Sequence, residues 1–481
     1  MKKEKRNYVL ILSLVLLVAI VSCKKNEEDN NLGPEITVSD NIIGMTGQNL
    51  NISVAASDPD GDALSYTWKI IESPGGSSAT LTNSSNNNSV FTTSTAGFYR
   101  VEIIVDDGRG GQASGVVNLS IGGVLPTNMN TATSLPDLFA DSDIPDYYAP
   151  STVTIREGLT LAPGVVIECG ANVLLWVNGN PSFLKAEGTA SNNVIIRGMN
   201  KTKGSWRGIA ITSTNIENKL NHVDIRHAGS SNNGDRRAAI RVQSNVSARL
   251  SIENTAISET AGHALFVDGG DGILAAFSNN NFSNNDLAPL RINAGQLYSL
   301  DNQSVYLGNG VQAIEVASLG NSSVRFNANG TVKAQSLPYH FHSTAELLAI
   351  VTFEAGVRCL FTSGIRLSVN SVGAIIANGT ASNPVIFSGI SEVAGAWNGI
   401  EISSPSNLNT INHGVVSHGG SSSGRGANIY MFGSQNAQLN ITNSTISHSQ
   451  TYGIRTSAGN VNLNESDNIF MANALGDIRQ D

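Results

Sequence analysis

Ala186-Glu187-Gly188-Thr189-Ala190-Ser191-Asn192-Asn193-Val194-Ile195 returns 191 residues later as Ala377-Asn378-Gly379-Thr380-Ala381-Ser382-Asn383-Pro384-Val385-Ile386. At the same offset Trp206-Arg207-Gly208-Ile209 returns as Trp397-Asn398-Gly399-Ile400, and His222, His227 and Gly229 return as His413, His418 and Gly420. A long repeat of short apolar strings between Gly/Asn turns marks a solenoid, whose units stack because none can bury its apolar face alone.

Outward from the repeat, apolar strings at 165–167, 173–176, 194–196, 209–211, 223–225, 240–242 and 250–252 place a short strand every 7–12 residues. In Val223-Asp224-Ile225-Arg226 apolar and charged side chains alternate, as in a strand with one buried face. Three strands per coil, stacked in parallel, predict a right-handed parallel β-helix over 147–481. Its copies run over 147–285 and 339–475, joined by a seam at 286–338. After the His/Gly turn the offset falls to 189, a two-residue deletion that belongs in a loop. A β-propeller is the alternative; irregular strand spacing and two long copies, not several blade-sized ones, count against it.

A chain of 481 residues exceeds one ordinary core, so more than one module is expected. Charged residues are 14% of the chain, below the ~25% typical of soluble domains. The net charge of −9 argues against nucleic acid and anionic lipid head groups as partners. A monomer is expected.

The N-terminus reads as an address. Met1-Lys2-Lys3-Glu4-Lys5-Arg6 is basic, and the mostly apolar run 9–20 is too short to span a membrane as a mature helix. It leads into Val21-Ser22-Cys23, which resembles a bacterial lipobox. The resemblance implies a signal peptide over 1–22, diacylation of Cys23 and a tether over 23–32. Lys24 in place of Asp after the lipidated position implies the outer membrane of a Gram-negative cell. The acidic Glu27-Glu28-Asp29 resembles a surface-export signal.

Residues 33–122 read as an all-β module. Alternating runs such as Leu64-Ser65-Tyr66-Thr67-Trp68-Lys69-Ile70 are separated by turn clusters such as Asp58-Pro59-Asp60-Gly61-Asp62. Trp68 is the expected core aromatic. Ala56-Ser57-Asp58-Pro59-Asp60-Gly61-Asp62 leading into Tyr66-Thr67-Trp68 resembles a polycystic-kidney-disease (PKD) or cadherin-like domain. So does Ala96-Gly97-Phe98-Tyr99-Arg100-Val101 leading into Val105-Asp106-Asp107-Gly108. The resemblance implies an immunoglobulin-like β-sandwich acting as a spacer or weak binding unit. The family's Trp-x-Phe-Gly-Asp-Gly core is absent, since Lys69-Ile70-Ile71 follows Trp68. Residues 123–146, with Pro126, Pro136 and Pro145, read as a linker or a cap of the next domain. The coil pattern beyond it resembles the pectate-lyase-like superfamily.

Asp58, Asp60 and Asp62, with Asp106 or Asp107, offer hard oxygen ligands for Ca²⁺, against a simple Asp/Gly turn. No other cofactor is indicated. Asp224, Arg226, Arg241 and Asp268, peculiar to the first copy, are the candidate catalytic set, expected to face outward on successive coils. Resemblance to the superfamily's lyases and hydrolases implies uronate neutralisation with proton abstraction, or paired acids. Their strings Asn-Thr-Asp, Asp-Asp, Gly-His-Gly and Arg-Ile-Lys are missing from this part of the chain. Tyr430 and Arg455 in the second copy are the candidate sugar-binding pair, with Tyr430 expected to point outward.

His222, His227, His413 and His418 read as structural corner residues, and Trp206 and Trp397 as packing. Asn254, Asn281, Asn284, Asn443 and Asn468 read as internal ladders. Cys169 and Cys359, eight or nine coils of roughly 22 residues apart, are expected to be separate buried thiols. Three functions stay open. They are non-catalytic glycan binding or adhesion, a lyase or glycoside hydrolase acting on uronate-containing glycans, and a structural envelope component.

Overall fold

The computed structural model describes residues 31–230, 236–243, 247–267, 272–318 and 323–481. The expected signal peptide and Cys23 lie outside the described residues. Within them the chain is all-β, with short 3-10 turns.

The N-terminal module has eight strands: β1 Glu35–Val38, β2 Ile42–Met45, β3 Leu50–Ser57, β4 Ser65–Glu72, β5 Thr80–Thr82, β6 Asn88–Thr92, β7 Gly97–Asp106 and β8 Gln112–Val124. One sheet has the order β1-β3-β6-β5; in the other, β4 pairs β7, β7 pairs β8, and β2 lies along β8. Alternate residues of β3 and β7 point inward, as a half-buried strand requires. Both sheets contribute to one core, including Ile52, Phe91, Val101, Ile103 and Leu119. Trp68 belongs to it, and its indole N–H donates to the Asn86 carbonyl at 2.8 Å, satisfying its polar end. The Tyr99 hydroxyl donates back to the Thr95 carbonyl at 2.7 Å, the tyrosine corner of such sandwiches.

β8 does not stop at the sandwich. Its end pairs in parallel with Tyr147–Ala149, so the second sheet runs on into the rest of the chain. The stretch 123–146 also supplies Asn128–Met129 and Thr133–Leu135, the first strands of two further sheets. Asp146 is fully buried at this junction. Its Oδ1 accepts the N–H of Leu138 (2.7 Å) and Phe139 (3.0 Å), and its Oδ2 accepts that of Val166 (2.6 Å).

Beyond the junction the architecture is repeat-like and parallel. With few exceptions each strand pairs with the strand three places further along the chain. Val166–Cys169 pairs with Val194–Gly198, which pairs with Val223–Arg226, which pairs with Ala256–Ser258. This excludes the propeller's antiparallel blades. A 14-stranded sheet runs from Asn128–Met129 to Ile469–Met471. An 11-stranded and a 6-stranded sheet flank its first half; a 7-stranded and another 6-stranded sheet flank its second. One continuous apolar core extends from Leu125 to Ile454, with Phe341, Phe361 and Trp397 stacked inside it at 4.9 and 4.4 Å.

The corners between strands are set by left-handed residues. His222, His227, Asn254, Asn284, His413, His418 and Asn443 all have φ between 48° and 65°. Asn tolerates this region better than most residues. Asn254, Asn284 and Asn443 are therefore exposed corner residues, not internal ladders. Asn281 is also exposed. The inward ladder is formed by the residue after each Asn corner. Asn285 Oδ1 accepts from the Thr260 N–H at 3.1 Å, and its Nδ2 donates to the Ile257 carbonyl at 3.3 Å. Of the expected ladder residues, Asn468 fits, accepting from the Ser444 N–H at 3.0 Å and donating to the Ile441 carbonyl at 2.9 Å.

At the seam a 3-10 turn, Ala294–Ser299, stands where a strand of the first 6-stranded sheet would come, with Leu297 fully buried. Across it, strands equivalent in sequence do not share a sheet. Val194–Gly198 lies in the 11-stranded sheet, but its repeat Val385–Gly389 lies in the 14-stranded one. Gly208–Ile211 lies in the 14-stranded sheet, but its repeat Ile400–Ile402 lies in the 7-stranded one. The second copy is thus displaced by one sheet. Cys169 and Cys359 are separate buried thiols, as expected. Leu174–Val177, the strand after Cys169, lies seven steps along the 14-stranded sheet from the strand of Cys359, not eight or nine. At ~4.8 Å per step that is roughly 34 Å.

Candidate functional site

Of the candidate catalytic residues the structure describes, it brings Asp224 and Arg226 together but not Arg241. Asp224 and Arg226 sit two residues apart on Val223–Arg226 in the 11-stranded sheet and pair with each other, Arg226 Nε donating to Asp224 Oδ1 at 2.9 Å. Arg241 lies on Ala238–Val242, in the 14-stranded sheet. There it heads a row, Arg241–Phe266–Arg291–Glu315–His340, of laterally paired residues. Asp224 and Arg241 lie in different sheets, so Arg241 does not continue the Asp224 face. Asp268 lies outside the described residues.

Asp58, Asp60 and Asp62 do converge: one ligand oxygen of each lies within 4.8 Å of the others. Asp58 Oδ1 accepts the N–H of Asp60 (2.9 Å) and Asp62 (3.1 Å), which curls the loop. The chain before β1 crosses it, with the Leu32 N–H donating to Asp60 Oδ2 at 2.7 Å and Asn31 Nδ2 donating to Asp107 Oδ2 at 2.7 Å. The Asn31 amide, with the backbone N–H of Arg109 next in weight, holds the Asp107 carboxyl below its ordinary range. Asp106 instead caps its own turn, accepting from the Gly108 N–H at 2.7 Å, and is not part of the cluster.

Three buried oxygens here have no hydrogen-bond partner: Asp58 Oδ2, Asp62 Oδ2 and Asn31 Oδ1. Buried acceptors without donors are costly, and these are the hard oxygens that Ca²⁺ takes. The donor set fits that ion. Arg109, 3.3 Å from Asp62 Oδ1, partly offsets the negative charge.

Tyr430 alternates with the fully buried Ile429 and Met431, but the residue is only 9% exposed. Phe432 packs edge-on against it at 4.8 Å, and the Arg425 guanidinium covers both rings at 5.7 and 5.1 Å. Arg455, its lateral neighbour, is tied to Asp481 at 2.6 Å. The open aromatic–arginine platform expected from the sequence is therefore covered.

Beside it, on the 7-stranded sheet, lies a groove of about 560 Å³ lined by Arg366, Ser368, Glu401, Ser403, Arg425 and Phe432. A smaller hollow at Asn398 and Ser423 adjoins it. Glu401 is the lateral neighbour of both Ser368 and Tyr430, and its carboxylate lies 3.3 Å from Arg366 Nε. Burial raises the Glu401 pKa against the opposing pull of Arg366 and Arg425. Asn398 is 8% exposed; its Nδ2 donates to the Gly364 carbonyl at 2.9 Å, which leaves its buried Oδ1 without a partner. Gly424 closes over this amide, where a Cβ would sit 3.0 Å from Asn398 Cγ.

Sequence reasoning missed Arg366, Asn398, Glu401, Arg425 and Phe432. A signal was present for two of them. Asn398 stands where the first copy has Arg207, and Glu401 stands where it has Ala210 inside an otherwise identical Ile-x-Ile strand.

Residues 39–121 match the K319L-like PKD domain family. Among solved structures the chain is similar to the solution structure of the PKD domain (residues 329–428) from human KIAA0319. That likeness has 14% identity, covers 21% of this chain and 92% of that one, and has a TM-score of 0.18. No curated protein matches the chain.

Proposed function

We propose that this chain is a cell-surface lipoprotein that binds glycans without cleaving them. In this reading Cys23 carries the lipid anchor in the outer membrane, and the PKD domain spaces the parallel-stranded part from it. The parallel sheets are coils of a right-handed, pectate-lyase-like β-helix. Strand pairing three places on supports that reading, and parallel crossovers are almost always right-handed.

One observation carries the binding proposal. The groove on the 7-stranded sheet holds a nearly buried carboxylate, Glu401, and the hollow that adjoins it is lined by Asn398, whose Oδ1 has no donor. Sugar hydroxyls supply such donors, and the guanidinium groups of Arg366 and Arg425 donate in return. The half-buried ring of Phe432 offers an apolar wall. The groove's volume falls in the ordinary range for small-ligand sites. Arg366, Arg425 and Glu401 together leave one net positive charge, which favours glycans carrying uronate.

A glycan array probed with residues 24–481 tests this. Capture of a glycan that is lost in Asn398→Ala and Glu401→Gln is expected. No capture, or capture untouched by both substitutions, overturns it. Release of unsaturated, ultraviolet-absorbing product from a uronate glycan would replace binding by lyase activity.

A further inference from the structure

We infer that the sandwich carries a binding site of its own, for a neutral pyranose, where its outer face meets the loop 137–146. A cleft of about 420 Å³ lies there, within the ordinary range for small-ligand sites. The sheet of β2, β7 and β8 forms one side. Phe98 on β7 lies opposite Ser120 on β8, which lies opposite Ile43 on β2, so one row of outward residues crosses three strands. Asn118, two residues before Ser120, faces the same way, and Asn41 stands just before β2. The loop contributes Leu138, Phe139, Asp141 and Ile144 to the lining.

The Ser120 hydroxyl is what makes the cleft informative. Ser120 is only 6% exposed, yet its hydroxyl has no hydrogen-bond partner among the described residues. The side-chain amides of Asn41 and Asn118 likewise bond no described residue. A serine hydroxyl and a side-chain amide each donate and accept, as a sugar hydroxyl does. Phe98, 41% exposed, adds an apolar surface for the C–H face of a pyranose ring. An occupant without polar groups would seal the Ser120 hydroxyl away unpaired, which is costly. Among the described residues no Arg, Lys or His lines the cleft, and Asp141 does. A uronate would therefore meet a carboxylate with no cation to offset it. The preference for a neutral sugar separates this cleft from the Arg366 and Arg425 groove.

Buried contacts hold the loop in place. Asp146 accepts the N–H of Leu138 and Phe139, as described above. The buried Arg197 donates to the carbonyls of Ser142 at 3.1 Å and Asp143 at 2.9 Å. The Ile144 N–H donates to the Asp141 carbonyl at 3.0 Å, which closes the tip. The loop is thus fixed before a ligand arrives, and preorganisation lowers the cost of binding. A peptide is the less suitable occupant. At Ser120, β8 is already paired on both sides, with β7 and β2, so the strand under the cleft offers no open edge for strand addition.

The test is saturation-transfer NMR and calorimetric titration of the full chain with three neutral sugars, cellotriose, mannotriose and galactotriose. At least one should bind. Phe98→Ala, at an exposed position, and Asn118→Ala should each weaken that binding about tenfold or more. Glu102→Gln, which also faces outward on β7 but does not line the cleft, should leave it unchanged. Excess trigalacturonate should not displace the neutral sugar. Absence of binding by all three sugars, full retention in both Phe98→Ala and Asn118→Ala, or displacement by trigalacturonate would each overturn the assignment. Capture of an aromatic tripeptide in place of the sugars would overturn it as well. The uronate reading of the groove fails or stands separately, because the residues changed here lie on the sandwich and leave Glu401 and Asn398 intact.

Discussion

Arg366 reaches across one step of the 7-stranded sheet to Glu401, Nε to Oε2 at 3.3 Å, and the Glu401 side chain is only 9% exposed. A carboxylate so placed is an acceptor with limited competition from water. If sugar hydroxyls donate to it, Glu401→Gln removes a charge-assisted hydrogen bond, about 1.5–3 kcal/mol or roughly a tenfold to hundredfold loss of affinity. The carboxylate's raised pKa also sets a sign. Binding should weaken as pH falls, beginning above the range where an exposed Glu would titrate, and Glu401→Gln should abolish that step. Calorimetric titration of a captured glycan against pH reads both.

Asp146 satisfies three buried backbone N–H groups at the junction of the sandwich and the parallel sheets. Asp146→Ala leaves these donors unmatched and should cost about 3 kcal/mol or more. Burial raises the carboxyl to about 6 despite those donors. A raised acid contributes stability that is complete below its unfolded value, about 3.9, and is lost as pH rises through about 6. Asp146→Asn should therefore flatten the stability profile across that window, as read by thermal unfolding at a series of pH values.

Trp397 is fully buried, stacks on Phe361 at 4.4 Å and donates to the Ser417 carbonyl at 2.9 Å. Trp206 makes the equivalent bond to the Arg226 carbonyl at 2.8 Å. Trp397→Ala should cost about 3–5 kcal/mol. Trp397→Phe keeps most of the packing and leaves the Ser417 carbonyl unpaired, a smaller loss of about 1–3 kcal/mol. Urea midpoints rank the two.

Ca²⁺ should stabilise the N-terminal sandwich through Asp58, Asp62 and Asn31, whose buried oxygens lack donors. At a hundredfold excess over its dissociation constant one ion adds about 2.7 kcal/mol. Differential scanning calorimetry of the full chain with Ca²⁺ and then with chelator should show a reversible shift. Asp62→Asn should remove it.

Asn284 and Asn285 are adjacent and play different parts. Asn284 holds a corner at φ 56°, while Asn285 bonds Thr260 and Ile257 inside the core. Asn284→Gly should change stability by less than about 0.5 kcal/mol, because glycine accepts that backbone. Asn285→Ala should cost about 1–3 kcal/mol. Denaturation of the two single variants separates corner from ladder.

Much of the fold was legible because its causes are local. Apolar alternation located Val194–Gly198 and Val223–Arg226, and the repeated Trp and His positions proved to be packing and corners. The ladder was misplaced by one residue because a left-handed Asn throws its own side chain outward and turns its neighbour in. Tyr430 was expected in the open because alternation states which side of a sheet a residue faces. It does not state what the next loop lays over that side, and here Arg425 does.

By itself the sequence determined the strands, the corners, the sandwich core around Trp68 and the loop that gathers Asp58, Asp60 and Asp62. Each follows from side chains a few residues apart. Only the tertiary structure decided which residues share a face. The repeat of 191 residues spans seven steps of stacking and one strand more, so every equivalent strand moves to the adjacent sheet. That remainder is a sum over all the turn lengths, including a 3-10 turn in place of a strand, and no local pattern encodes it. It turns Glu401 into a groove on a different sheet from its first-copy counterpart Ala210, whereas Arg241 parts from Asp224 because consecutive strands of the first copy belong to different sheets.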